Sequence, residues 1–137
     1  MNLPQPVSRP LDDTRDELVS DYFVAHGGFY VYVKAGFVFD GASIPRFFWR
    51  VVGHPFQGLA RPASLIHDAL YSSHATTREQ ADSLFYGLLT RNGVTRVKAW
   101  TLYRGVRMWG WCAWNDKTPE SLSVNKQLVS VAKVLVP

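Results

Sequence analysis

The stretch PASLIHDALYSSH, Pro62 to His74, decides how the rest of the chain is read. Ala63, Ile66, His67, Leu70, Tyr71 and His74 fall at i, i+3, i+4, i+7, i+8 and i+11, one stripe of a 3.6-residue helix. Pro62 suits a first helical turn. The stripe is apolar except for its histidines, and a charge placed there is costly unless something pairs with it. Helical geometry separates the two titratable neighbours: His67 points inward with Tyr71 one turn on, and Asp68 lies about 100° round the axis.

Downstream, the short connector Ser72–Thr76 folds a second helix back antiparallel to the first. Thr76 and Glu79 form a capping box for it, Asn92-Gly93 ends it, and its inner face carries Asp82, Phe85, Tyr86 and Leu89. A third helix, roughly Thr95 to Trp111, mixes Trp100, Tyr103, Val106 and Trp109 with Arg96, Lys98, Arg104 and Arg107. The tail is polar from Thr118 and ends in VSVAKVLVP, residues 129–137, which fits strand or helix.

Upstream, residues 1–17 hold three prolines and the acidic cluster DDTRDE, and read as an extended arm. Residues 18–24 and 29–33 alternate as strands, joined where Gly27 and Gly28 supply the positive φ of a tight hairpin. A short third strand follows at 36–39. DGASIP, residues 40–45, breaks regular structure, residues 46–52 form a short helix stopped by Gly53, and residues 54–58 are a loop. The expected fold is α+β: a small N-terminal antiparallel meander of about three strands, then three to four packed helices. The domain spans 18–116, between an arm at 1–17 and an extension at 117–137, and both arms are expected to dock on the domain or on a neighbouring subunit.

Composition sets the bounds. A chain of 137 residues with 47% hydrophobic and 19% charged residues is globular rather than disordered. Its 14% aromatic content, with five tryptophans, is the kind of surplus that goes to interfaces. One cysteine, Cys112, excludes an internal disulfide framework, and it is expected as a small buried hydrophobe. No signal-peptide pattern is visible, and no apolar run approaches the ~18 residues that cross a bilayer. Charge is uneven: residues 1–40 hold three Lys/Arg against six Asp/Glu, 41–116 nine against four, and 117–137 three against one. The helical half is therefore basic and suits an acidic partner.

The second helix brings Asp82 to the face that meets His67. A carboxylate behind a histidine fixes its tautomer and stabilises the imidazolium, the arrangement of a general base. Asp68, to the side, is placed to bind a metal or pair with a cation, and Asp40, in its Gly-containing turn, adds a second carboxylate of the kind that holds calcium. The plain alternatives stay open: His67 as a satisfied core histidine, Asp82 paired with Arg78 one turn earlier, and Asp40 as a turn residue. Cys112 has no histidine near it in sequence, Ser43 sits in no nucleophile elbow, and no phosphate loop or zinc pattern appears. His26, His54 and His74 read as surface or loop residues. For the basic, Trp-rich helix the plain reading is aromatics closing the core, with a protein interface next and nucleic-acid stacking or a membrane surface behind.

The motifs AGFVFDGASIPRFFW (35–49), LIHDALY (65–71) and REQADSLF (78–85), in that order, resemble an uncharacterised family widespread in phage and prophage genomes. The likeness spans roughly residues 18–110. It implies a phage or prophage origin and no established activity; the location expected with it is the virion, assembled in the host cytoplasm. Locally, HDALY followed by ADSLF is also similar to the paired helices of small secreted phospholipases A2. That resemblance implies His67 as the base that activates water, Asp82 as its support, Tyr71 bonded to the supporting carboxylate and Asp68 on calcium. The chain departs from those enzymes in having one cysteine and no recognisable glycine-rich calcium loop before the His67 helix.

Two expectations follow. One is a virion or tail-assembly component that needs no cofactor and meets other phage structural proteins through its arms and helix 95–114, with a membrane surface as a further contact. The other is a cation-assisted hydrolase of envelope lipid or a related ester, which requires the His67–Asp82 pair to border an open cleft.

Overall fold

A computed structural model of the chain describes residues 2–40, 50 and 58–134. The DGASIP turn after Asp40, the short helix expected at 46–52 apart from Arg50, Ser43 and His54 lie outside the described residues. The described part is α+β: two small antiparallel sheets of three strands and four helices. In chain order these are β1 (Ser8–Pro10), β2 (Asp16–Leu18), β3 (Tyr22–His26), β4 (Phe29–Val33), β5 (Val38–Phe39), a 3-10 turn (Gly58–Ala60), α1 (Arg61–Ser73), α2 (Arg78–Arg91), α3 (Arg96–Asn115), α4 (Pro119–Leu128) and β6 (Val129–Lys133).

The strands are shared between two sheets rather than run as one meander. One sheet has the order β1-β2-β5, the other β3-β4-β6. The hairpin β3–β4 is as expected, with Gly27 at φ 58° and Gly28 at φ 82°. The apolar run 18–24 is cut between Leu18 and Tyr22. Asp21, in the break, accepts the Ala35 amide at 2.7 Å and the Tyr32 hydroxyl, so the chain turns there instead of continuing. β5 therefore pairs with β2, and the place beside β4 goes to β6, with Val31 opposite Val131 and Val33 opposite Val129. This settles the C-terminal segment as strand. Alternation along β4 buries Val31 and Val33 and exposes Tyr30 and Tyr32.

Both arms lie on their own domain. The amide of Leu3 donates to Asn92 Oδ1 at 2.7 Å, Tyr22 donates to the Pro4 carbonyl at 2.6 Å, and the Arg61 guanidinium bonds the Pro6 carbonyl and Ser8 Oγ. The C-terminal extension supplies α4 and β6.

α1 is not amphipathic but central. Every residue from Pro62 to Ser73 is buried, because α2, α4 and strands of both sheets surround it. A helix enclosed on all sides has to find most of its polar partners internally, and here only the Ser64 hydroxyl lacks one among the described residues. Ser73 Oγ donates to the Ala69 carbonyl at 2.8 Å, and Asp68 Oδ2 accepts the Asp40 amide at 3.3 Å. The helix ends at His74 in the left-handed region (φ 52°), its ring stacked on Trp114 at 3.8 Å.

α2 is capped one residue later than the sequence pattern gives. Thr77 Oγ1 accepts the Gln80 amide and Gln80 Oε1 accepts the Thr77 amide. Thr76 and Glu79 are therefore not the box: Thr77 is the residue whose extended backbone (ψ 159°) turns its hydroxyl toward the N3 amide. α3 runs four residues past its expected end. Its aromatics do not mainly close the core, since Trp100, Trp109 and Trp111 are 44–54% exposed. Cys112, expected in the core, is exposed as well.

Candidate functional site

Asp82 is the hub. Its position in the second turn of α2 aims the carboxylate between α1 and α3, and its side chain is 0% exposed. Oδ1 takes two donors from α1, His67 Nε2 at 2.7 Å and Tyr71 Oη at 2.7 Å. Oδ2 takes Arg107 Nη1 of α3 at 2.8 Å and, more loosely, Arg78 Nη1 at 3.5 Å. Arg78 also donates to the carbonyls of Val106 and Arg107. One carboxylate thus joins three helices.

An ionised carboxylate only accepts, so Nε2 of His67 carries the ring proton and Nδ1 is the basic nitrogen. The ring lies among aromatics, 4.3 Å from Tyr71 and 4.5 Å from Phe85 between centroids, and Trp114 meets Tyr71 edge-on at 5.2 Å. His67 is 0% exposed. Burial, the largest influence, holds its pKa below the ordinary 6.5 although the bond to Asp82 pulls the other way, and Arg78 lowers it further. Burial pushes the Tyr71 phenol well up, helped by Asp82. For Asp82 burial acts upward, yet the bonds from His67, Tyr71 and Arg107 outweigh it and hold the carboxyl below 3.8.

The sequence-selected residues fall into two groups. His67, Tyr71 and Asp82 come together as expected. Asp68 and Asp40 form a separate contact through the Asp40 amide, and Asp68 is itself only 3% exposed. Among the described residues no group of three or more His, Cys, Asp or Glu side chains is placed to hold a metal ion. Arg78 and Asp82 do meet, but Asp82 is buried and has closer partners, so theirs is not the surface bridge considered from sequence.

Two residues of the site were missed. Arg107 read as one more cation of a basic helix, and no local pattern shows that it turns inward. Gly110 had a signal: a glycine inside a helix, between Trp109 and Trp111, costs about 1 kcal/mol against alanine and so invites a packing reason. A Cβ on Gly110 would lie 2.5 Å from the Tyr71 hydroxyl and 3.3 Å from Arg78 Nη1.

Two cavities lined by described residues lie elsewhere on the surface. One of about 620 Å³ lies at the end of α3, lined by Asp40, Trp111, Cys112, Asn115 and Asp116. Another of about 410 Å³ lies between the β3–β4 turn and α2, lined by His26, Phe29, Glu79, Gln80 and Ser83. Neither is lined by His67 or Asp82.

Among known proteins, the chain is 37% identical over 111 residues to "Uncharacterized protein y4jT" of Sinorhizobium fredii (strain NBRC 101917 / NGR234), covering 80% of this chain and 32% of that protein. It is 32% identical over 71 residues to "Uncharacterized protein y4iH" of the same organism, covering 52% of this chain and 30% of that protein. The chain thus spans about a third of the length of these relatives. No solved structure matches it. The family described as "Protein of unknown function (DUF1353)" matches residues 17–106, from β2 through most of α3 and including His67, Tyr71, Arg78 and Asp82, and the chain belongs to that family.

Proposed function

We propose that the chain is a non-catalytic assembly component, in its finer form a phage virion or tail-assembly protein put together in the host cytoplasm, and that its histidine cluster is structural. The observation that carries this reading is the state of Asp82. A general base must pass through the imidazolium, which its supporting carboxylate has to stabilise. Here Oδ2 already carries Arg107 and faces Arg78, so two guanidinium charges offset one carboxylate before His67 takes a proton. Protonating a ring that is 0% exposed in a positively balanced cluster is unfavourable. The same bonds suit a pin that locks α1, α2 and α3 in register. What remains for contact is the surface of α3, basic and rich in exposed aromatics, the residue types that anchor protein interfaces. The phage assignment rests on the three quoted motifs.

A second reading keeps a hydrolase resembling small phospholipases A2. Its specific support is the shared Oδ1 of Asp82, with His67 and Tyr71 both at 2.7 Å, and the approach of Asp40 to Asp68. Calcium would then be sought at Asp68 and Asp40.

The test takes particles purified from cells that carry the gene and wild-type chain assayed on phospholipid vesicles with calcium. A fixed amount of chain in the particle band, with no fatty-acid release above the level of His67→Ala, supports the assembly reading. Absence from particles, together with calcium-dependent release lost in His67→Ala, replaces it with the hydrolase.

A further inference from the structure

One face of α3 remains without a partner in the described fold. Val97, Trp100, Arg104, Met108 and Trp111 fall at i, i+3, i+7, i+11 and i+14, a single line along the outer side of the helix. Val97 is 77% exposed, Trp100 and Met108 53% each and Trp111 54%, and Arg104 is exposed with them. Among the described residues Arg104 makes no hydrogen bond or ion pair. Trp100 is held from behind by Tyr103, at 5.5 Å, and Tyr86, at 6.1 Å, so it is a positioned ring rather than a loose one.

The line is symmetric about its cation. Trp100 and Met108 stand four residues to either side of Arg104, and Val97 and Trp111 seven. That spacing keeps all five on one face of a straight helix, the kind of stripe by which helices pack, with apolar side chains about one and two turns from a central polar position.

We infer that this seam seats an amphipathic helix of another protein, which sets a carboxylate opposite Arg104 and apolar side chains four and seven residues to either side of it. The inference rests on the assembly reading and names the chemistry of the partner. A second copy of the chain fits the apolar positions, since an antiparallel pair of α3 helices would bring Trp100 onto Met108 and Val97 onto Trp111. It would also bring Arg104 onto Arg104, and like charges in register oppose the pairing. A bilayer fits less well, because an interfacial helix buries an unbroken apolar face and keeps its cations at the rim. Here the cation occupies the middle. α3 has four Lys/Arg and no Asp or Glu, and among the described residues only Arg107 of the four is turned to an acid. An acidic helix is the complementary surface.

The experiment uses the full chain and two synthetic helical peptides, identical except for Glu or Lys at the centre of a leucine seam with the spacing above. Binding is followed by tryptophan fluorescence, with anionic phosphatidylglycerol vesicles as a third arm. The Glu peptide is expected to bind at least about tenfold tighter than the Lys peptide, and the surface variant Arg104→Glu is expected to reverse that order. The same charge logic predicts that wild type and Arg104→Glu, each monomeric alone, associate when mixed. Equal binding of the two peptides, or none, overturns the inference, and partition onto the vesicles would then identify a membrane as the occupant. Chain found in particles under either result leaves the assembly reading in place, so the two can fail separately.

Discussion

Truncating Asp82 to alanine leaves the Nε2–H of His67 and the hydroxyl of Tyr71 buried without an acceptor. Each orphaned buried group costs about 1–3 kcal/mol, while the arginines, 22% and 29% exposed, can turn to water. Asp82→Ala should therefore lower unfolding stability by at least about 2 kcal/mol, read by urea denaturation; a loss within error would mean the hub is dispensable. Gly110→Ala probes the same cluster from α3. Helix propensity alone would favour alanine by about 1 kcal/mol, but the new methyl would press on the Tyr71 hydroxyl and the Arg78 guanidinium. Net destabilisation is expected, and a stabilised variant would show that the site yields freely. pH reports on the cluster too. His67 is held below 6.5 when folded, so the unfolded chain binds its proton more readily, and stability is full above about pH 6.5 and falls as pH drops below it. Asp82, held below 3.8, adds a contribution that is present above 3.8 and lost as pH falls through its lower folded value. His26 and His74 are also held low, mainly by burial. The slope between about pH 7 and 5 should flatten more in His67→Gln than in His26→Gln or His74→Gln, and an unchanged slope in His67→Gln would remove His67 from the account.

Among the elements, legibility in the sequence followed the range of the forces involved. The α1 stripe, the turn at Gly27-Gly28 and the stops at Asn92-Gly93 are local, and each appeared where its residues put it. The pairing of His67 with Asp82 was also legible, because a short connector forces two helices antiparallel and fixes which faces meet. What was not legible depends on distant partners. α1 reads as amphipathic because its outward positions, Asp68, Ser72 and Ser73, are polar, yet they too are buried. Likewise nothing local tells β5 to choose β2. The cap of α2 is an intermediate case, since Thr76 and Thr77 are adjacent and only backbone geometry separates them. Thr77→Ala should cost about 1 kcal/mol of stability, while Thr76→Ala should stay within about 0.5 kcal/mol, since its hydroxyl reaches only the Thr77 carbonyl. Thermal unfolding of the two variants side by side decides it, and a reversed order would move the cap to where the sequence pattern put it.

At the scale of the molecule, the segments flanking the helices on both sides pack back on the domain, at residues 3–8 and in β6. β4 is the middle strand of its sheet only because β6 returns from residue 129 to lie beside it. Val129 is 4% exposed, and it covers Val33, directly opposite in the register and 0% exposed. Ending the chain at Leu128 would remove Val129, uncover Val33 and turn β4 into an exposed strand edge with the alternation FYVYV. Losing one well-buried valine is worth about 1.5–3 kcal/mol, and a free apolar edge is a template for pairing with another chain. The truncated protein should therefore unfold at lower denaturant and self-associate in size-exclusion chromatography, whereas Arg104→Glu on the α3 face should alter partner binding and leave stability unchanged. If the truncation stays monomeric with its stability intact, β6 is an appendage, and the C-terminal segment becomes available to swap onto a neighbouring subunit. The α3 seam would then share the work of assembly with it.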